Sequence, residues 1–314
     1  MFLHQHAEFA QLLQILAAER DIPTALVEKD YWIMHCLYSI QQQGFAFELK
    51  GGTSLSKGYQ VLERFSEDID IHIDAANASF PVYSKPTQTK KQLHIESRQR
   101  FYDWLTGTFE IPGIAHITRD HQFDDEKFRS AGIRLSYPSL FTQVAGLKDG
   151  VLLEVGFDDT TPNQPKTISS WAWDKAQELN IDIIDNRALN VPCYHPGYTF
   201  VEKLQTISTK FRLKQKNGVL PKNFMRHYYD VHQLLDHPDV VAFISTPAYH
   251  ERKRKRFRKD DNINIANNEA FLLTDSLTRQ KYAKAYQKTA NLYFGKQPSF
   301  DKILQKISNS IDFL

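Results

Sequence analysis

Apolar and polar positions at the start of the chain recur with the period of a helix. Phe9, Leu12, Leu13 and Leu16 stand three or four apart, and Asp21-Ile22-Pro23 breaks the pattern. A second helix is predicted from Thr24 to about Gln42, with Leu26, Ile33 and Leu37 on one face and Gly44 ending it. Residues 45–49 (FAFEL) are short, apolar and aromatic, which predicts a buried strand. Two glycines, hydroxyl residues and a helix-like run to Leu62 follow. Residues 67–74 (EDIDIHID) then alternate charge and Ile with period two, a half-buried strand with Asp68 and Asp70 on one face. A long polar helix is predicted over 87–106, and strands over 131–137 and 151–157.

Between Asp158 and Pro196 the chain is rich in turn residues, including Pro162, Pro165 and Pro192, and a domain boundary is placed there. Beyond it the pattern is helical, over 198–213, 223–235, 274–294 and 299–313. The prediction is therefore an α+β chain. Residues 1–160 carry N-terminal helices and a small mixed sheet, 161–195 form a linker, and 196–314 form a mostly helical domain.

Composition narrows the classes. At 314 residues, 41% hydrophobic and 12% aromatic, the chain has the length and apolar content for a large core and is not disordered. Cys36 and Cys193 lie far apart without a CxxC partner, which argues against a disulfide scaffold or a zinc ribbon. The N-terminus has no basic region or small-residue cleavage site. The longest uncharged stretch, 31–47, is interrupted by Gln41, Gln42, Gln43 and Gly44 and does not read as a membrane span. A cytoplasmic protein without a membrane partner is expected. The net charge of +2 hides an asymmetry: residues 1–160 hold 15 Lys and Arg against 22 Asp and Glu, and the remainder 24 against 15. An acidic half joined to a basic half suits metal or nucleotide chemistry on one side and a polyanion on the other.

The chemistry concentrates at Gly51-Gly52-Thr53-Ser54 and, one strand later, Asp68-Ile69-Asp70. Two glycines let a backbone approach a triphosphate closely, and a helix start offers free N–H groups to it. Ser54 adds a hydroxyl donor. Carboxylates at i and i+2 of a strand face the same way, so both can hold Mg²⁺, and a two-metal site of this kind activates a hydroxyl and neutralises leaving pyrophosphate. Each piece alone is commoner as structure; their order points to function. Glu154, the sole charge of an apolar strand, is the candidate third carboxylate, with a structural salt bridge as its alternative. Lys50, Lys57 and Arg64 are second choices for phosphate contact.

Residues 50–57 (KGGTSLSK) followed by 64–70 (RFSEDID) resemble the AbiEii/AbiGii nucleotidyltransferase toxins of the DNA polymerase β-like superfamily. Residues 27–32 (VEKDYW), 198–204 (YTFVEKL) and 226–230 (RHYYD) extend the likeness over about 27–235. The resemblance implies a polymerase β-like nucleotidyltransferase domain followed by a helical one. It implies a type IV toxin–antitoxin toxin, in phage defence, that moves a nucleotide from an NTP to RNA, with tRNA 3′ ends as one acceptor class and a cognate antitoxin as partner. In that picture Gly51, Gly52, Thr53 and Ser54 hold the triphosphate, and Asp68 and Asp70 bind metal. Lys203 and Asp230 match the catalytic lysine and aspartate of two C-terminal motifs. The family often has Asp after the arginine of the last motif, and here His227 stands there.

From the residues alone, Lys203 suits a phosphate cation or a solvated lysine paired with Glu202. Asp230, beside core positions, calls for a buried basic partner, with Lys203 and Arg226 as candidates. The run Arg252, Lys253, Arg254, Lys255, Arg256, Arg258 and Lys259 suits an RNA backbone, an acidic antitoxin or a solvated loop. Two rival readings stand beside RNA modification: nucleotide transfer to a protein or small molecule, and a non-catalytic RNA- or antitoxin-binding protein.

Overall fold

The computed structural model describes the whole chain except Thr89, Gln143, Ala145, Gly146 and Lys222, and Asn291 by its backbone alone. The chain forms two units. Met1–Tyr59 and Ser66–Tyr194 make the first; Gln60–Phe65 and His195–Leu314 make the second.

The first unit is built on seven strands: β1 (Phe47–Lys50), β2 (Asp68–Ile73), β3 (His116–Asp120), β4 (Ser130–Ser136), β5 (Val151–Gly156), β6 (Asn163–Ile168) and β7 (Ala188–Tyr194). Their order is β3-β4-β5-β2-β1-β7-β6. β2 runs parallel to β5, and β1 is antiparallel to β2. β5 buries Val151, Leu152, Leu153 and Val155 completely, which requires cover on both faces of the sheet and explains an apolar run interrupted only by Glu154. β2 keeps its predicted alternation: Ile69, Ile71 and Ile73 enter the core while Asp68, Asp70 and His72 share the other face.

Helices α1 (Phe9–Arg20), α2 (Thr24–Gln42), α3 (Gly51–Thr53, a single turn), α4 (Gln92–Thr108) and α5 (Trp171–Glu178) complete this unit. α2 spans the predicted residues and packs against α1, α5, β5 and β7. Its Leu26, Val27, Tyr31, Met34, Cys36, Leu37 and Ile40 are all buried, so this helix is covered on more than the one predicted face. The run after the glycines is shorter than predicted: α3 passes into one π-helical turn, Ser54–Gly58.

The span 161–195 is not a linker. It supplies β6, α5 and β7, and so completes the sheet. Pro165 and Pro192 face each other across the β6–β7 pair. β6 is an edge strand, where the missing N–H of Pro165 is tolerated, while Pro192 lies in the neighbouring strand β7.

The second unit is helical: α6 (Pro196–Asn217), α7 (Arg226–Leu234), α8 (Pro238–Phe243), α9 (Pro247–Arg256), α10 (Glu269–Leu272), α11 (Ser276–Gln287) and α12 (Phe300–Ser310). Pro196 occupies the first turn of α6 and Gly218, at φ 73°, ends it. α6 touches α7, α8, α9 and α10 and is the hub of the unit. The basic run is not a loop: its first five members finish α9, where cations complement the helix dipole. Among the described residues, no helix is long and apolar enough to cross a membrane.

Candidate active site

β1 delivers Lys50 and then Gly51, whose φ of 71° favours glycine. A Cβ on Gly51 would run into the Asp70 carboxylate. The backbone therefore passes against Asp70 at the one position where no side chain fits. Strand pairing sets the rest: Lys50 lies opposite Asp70 between β1 and β2, and Asp70 opposite Glu154 between β2 and β5. Paired residues on neighbouring strands face the same way, so Lys50, Asp70 and Glu154 form a row, with Asp68 two residues back on the same face.

This crowding has an electrostatic consequence. The Glu154 carboxyl is pushed up to about 8, first by burial and then by the charges of Asp70 and Asp68, with Lys148 and Lys50 pulling the other way. Lys50 also donates to Asp158 at 3.0 Å. The Lys148 ammonium lies 2.6 Å from Asp68 Oδ2 and 3.8 Å from Glu154 Oε1.

The carboxylates suit Mg²⁺, a hard cation that takes oxygen ligands. Asp68 Oδ1 is buried and takes no hydrogen bond among the described residues, as a ligand atom would. Among those residues no three His, Cys, Asp or Glu side chains converge as a ready-made metal cage. The cation between Asp68 and Glu154 is the Lys148 ammonium.

Gly52, Thr53 and Ser54 are all buried. The Thr53 hydroxyl donates to the Asp68 backbone carbonyl, tying the glycine turn to the carboxylate strand. The Ser54 hydroxyl is enclosed beside the Cys193 thiol. Neither hydroxyl is presented outward in this structure.

Residues 27–32 entered the sequence reading only as part of the family likeness, with no role assigned to their charges. Glu28, Lys29 and Asp30 of α2 are consecutive, charged and buried. Glu28 accepts from the Leu140 N–H and the Ser139 hydroxyl, both at 2.9 Å. Asp30 accepts from the Trp171 N–H at 2.9 Å and pairs with Lys57, which removes Lys57 from the phosphate candidates. Lys29 donates to the Lys148 carbonyl at 2.7 Å and lies 3.7 Å from Glu67. Burial holds Lys29 down at about 8 despite Glu67 and Asp68. Three consecutive charges inside an apolar helix were the available signal.

The second unit holds a separate charged group. Asp230 on α7 is fully buried and takes a bidentate bond from Arg64, Nε to Oδ1 at 2.6 Å and Nη2 to Oδ2 at 2.8 Å. Lys203 on α6 reaches the same carboxylate at 3.0 Å. Burial works against the Asp230 charge, yet Arg64 and Lys203 outweigh it and hold the carboxyl well below the usual carboxylate range. Lys203 is thus the predicted partner, and Arg64 is one that sequence did not suggest. His227 lies well below the ordinary histidine value through burial and the charges of Lys203 and Lys210, and its Nε2 accepts from Lys210 at 3.2 Å.

Of the basic run, Lys253 is buried and donates to the Leu314 carbonyl at 2.5 Å. Arg252 and Arg256 both engage Glu202, at 2.6 and 3.5 Å. Lys255 pairs with Glu251 yet stays exposed, and Arg254, Arg258 and Lys259 are exposed as well.

A backbone turn pressed against carboxylates held in register on adjoining strands suits nucleotidyl transfer, and the family match makes the class nucleotidyltransferase. The family model for the nucleotidyl transferase AbiEii toxin of type IV toxin–antitoxin systems matches residues 32–306, and the chain belongs to that family. Among solved structures it is similar to MenT4, a nucleotidyltransferase toxin from Mycobacterium tuberculosis, at 16% identity and a TM-score of 0.41, covering 89% of this chain and 98% of that one. It is also similar to an antigenic nucleotidyltransferase-like protein from Paracoccidioides brasiliensis, at 12% identity and a TM-score of 0.33, covering 89% and 93%. No curated protein sequence matches the chain.

Proposed function

We propose that this toxin takes a nucleotide from an NTP, with Mg²⁺, and places it on an RNA acceptor of the tRNA 3′-end kind, held in check by a cognate antitoxin. The observation that carries the reading is the row Asp70–Glu154 with Gly51 against it. Asp68, Asp70 and Glu154 would hold the metal. When bound there, Mg²⁺ favours ionisation of an attacking hydroxyl and neutralises charge on the departing pyrophosphate. The turn at Gly51 and Gly52 gives the triphosphate a backbone surface without side chains, and Thr53 fixes that turn to β2. Lys203, held by Asp230 within the second unit, is the proposed catalytic lysine of the motif it matches. Exposed Arg254, Lys255, Arg258 and Lys259 supply the contact to the RNA backbone.

Label transfer tests this reading. Protein, Mg²⁺, total RNA and each α-³²P-labelled NTP in turn should give a labelled band of tRNA size, absent with Asp70→Asn. Label on protein instead of RNA would replace the acceptor, and no label on any acceptor would defeat the enzymatic reading.

A further inference from the structure

Lys148 belongs to none of the sequence motifs, yet it reaches two carboxylates of the row. Its ammonium lies 2.6 Å from Asp68 Oδ2 and 3.8 Å from Glu154 Oε1. We propose that Lys148 is the resident counter-ion of this row, and that divalent metal binds by displacing its ammonium from Asp68. The inference rests on the reading of Asp68 and Glu154 as metal ligands.

Two features favour an aimed and exchangeable side chain over a chance surface pair. The backbone of Lys148 is gripped on both sides: its N–H donates to Glu67 Oε2 at 2.8 Å, and its carbonyl accepts from Lys29 at 2.7 Å. Glu67 and Lys29 are themselves buried, so the peptide that carries the ammonium is fixed from beneath the site. The ammonium also has a second partner, the face of the Phe123 ring 4.4 Å away. Released from Asp68, it retains that cation–π contact, which limits the cost of letting go. The remaining Asp68 oxygen, Oδ1, is buried and takes no hydrogen bond among the described residues, so the carboxylate is only half satisfied by the lysine. A flexible four-carbon stem bearing a compact charge can yield its place to a cation of higher charge.

The test reads metal binding without nucleotide. Mn²⁺ is titrated into wild type, Lys148→Met and Lys148→Arg and followed by electron paramagnetic resonance. Removing one competing unit charge a few ångströms away should tighten Mn²⁺ binding by about tenfold in Lys148→Met. Lys148→Arg, which keeps the charge, should stay near wild type. Lys148→Gln repeats the test with a polar neutral side chain should the Met variant fold poorly. Unchanged or weaker Mn²⁺ binding in both neutral variants would overturn the exchange. A wild type that transfers label from NTP while the neutral variants bind Mn²⁺ no more tightly defeats the exchange alone. Tighter binding in those variants without label transfer by wild type defeats the nucleotidyltransferase reading and leaves the exchange standing.

Discussion

At Gly51 the absence of a single methyl group decides whether the backbone fits against Asp70. The backbone is left-handed there, and a Cβ would displace the Asp70 carboxylate. Displacing a reacting group by about 1 Å costs on the order of 100-fold in rate, so Gly51→Ala should lose at least that in initial velocity. Near-normal turnover would remove Asp70 from the chemistry. Asp230 makes a different prediction, about stability. Its carboxylate is fully buried between Arg64 and Lys203, so Asp230→Asn leaves those cations without their anion. Urea unfolding should show a loss of about 3–5 kcal/mol. A loss within error of zero would mean that the trio does not form. Gly51, Asp68 and Asp70 stood out as candidates because short local spacings place them, and Lys203 and Asp230 because they match motifs of the resembled family. The pairing of Arg64 with Asp230 and of Lys148 with Asp68 was not legible, because the partners lie 166 and 80 positions apart in the chain.

Among the elements, α2 shows what patterning reveals and what it omits. Its span followed from periodicity and from Pro23 and Gly44, while the targets of its buried Glu28, Lys29 and Asp30 depend on tertiary packing. The same helix carries His35, whose Nε2 donates to the Pro112 carbonyl at 2.8 Å while Nδ1 accepts from Asn186 at 2.9 Å. Both nitrogens are satisfied only in the neutral ring. Burial lowers His35, and burial with its neighbour His35 lowers His4, each to about 4 from an ordinary 6.5. The unfolded chain therefore binds more protons below pH 6.5. Stability should be fully present above 6.5 and fall as pH drops from 6.5 towards 4. Thermal melts across that range check the slope, and His35→Phe should flatten it; an unchanged slope in that variant would place its source elsewhere. β6 and β7 were illegible for an opposite reason. Pro165 and Pro192 carry the strongest turn signal in the alphabet, and the sheet that places Pro165 on an edge strand and Pro192 beside it is formed by tertiary pairing.

For the molecule as a whole, the charge asymmetry read from the sequence divides along the chain much as the two units do. The basic run was read from the sequence as a candidate polyanion contact, its helix was not foreseen, and three of its seven members are committed internally. Exposed Arg254, Lys255, Arg258 and Lys259 carry the remaining prediction. Replacing all four with Gln should weaken RNA binding and flatten its dependence on salt, since each lost phosphate contact removes about 0.7 from the logarithmic slope. An unaltered slope would move the RNA surface away from α9.

The central claim is that this fold moves a nucleotidyl group at the Asp68–Asp70–Glu154 row. The most direct measurement compares the same NTP labelled at the α- or the γ-phosphate, with wild type and Asp70→Asn. The account predicts acid-stable label on the acceptor from the α-labelled NTP only, pyrophosphate released in equal amount, and neither product from Asp70→Asn. Transfer of γ-label, or α-label transfer undiminished in Asp70→Asn, would contradict it.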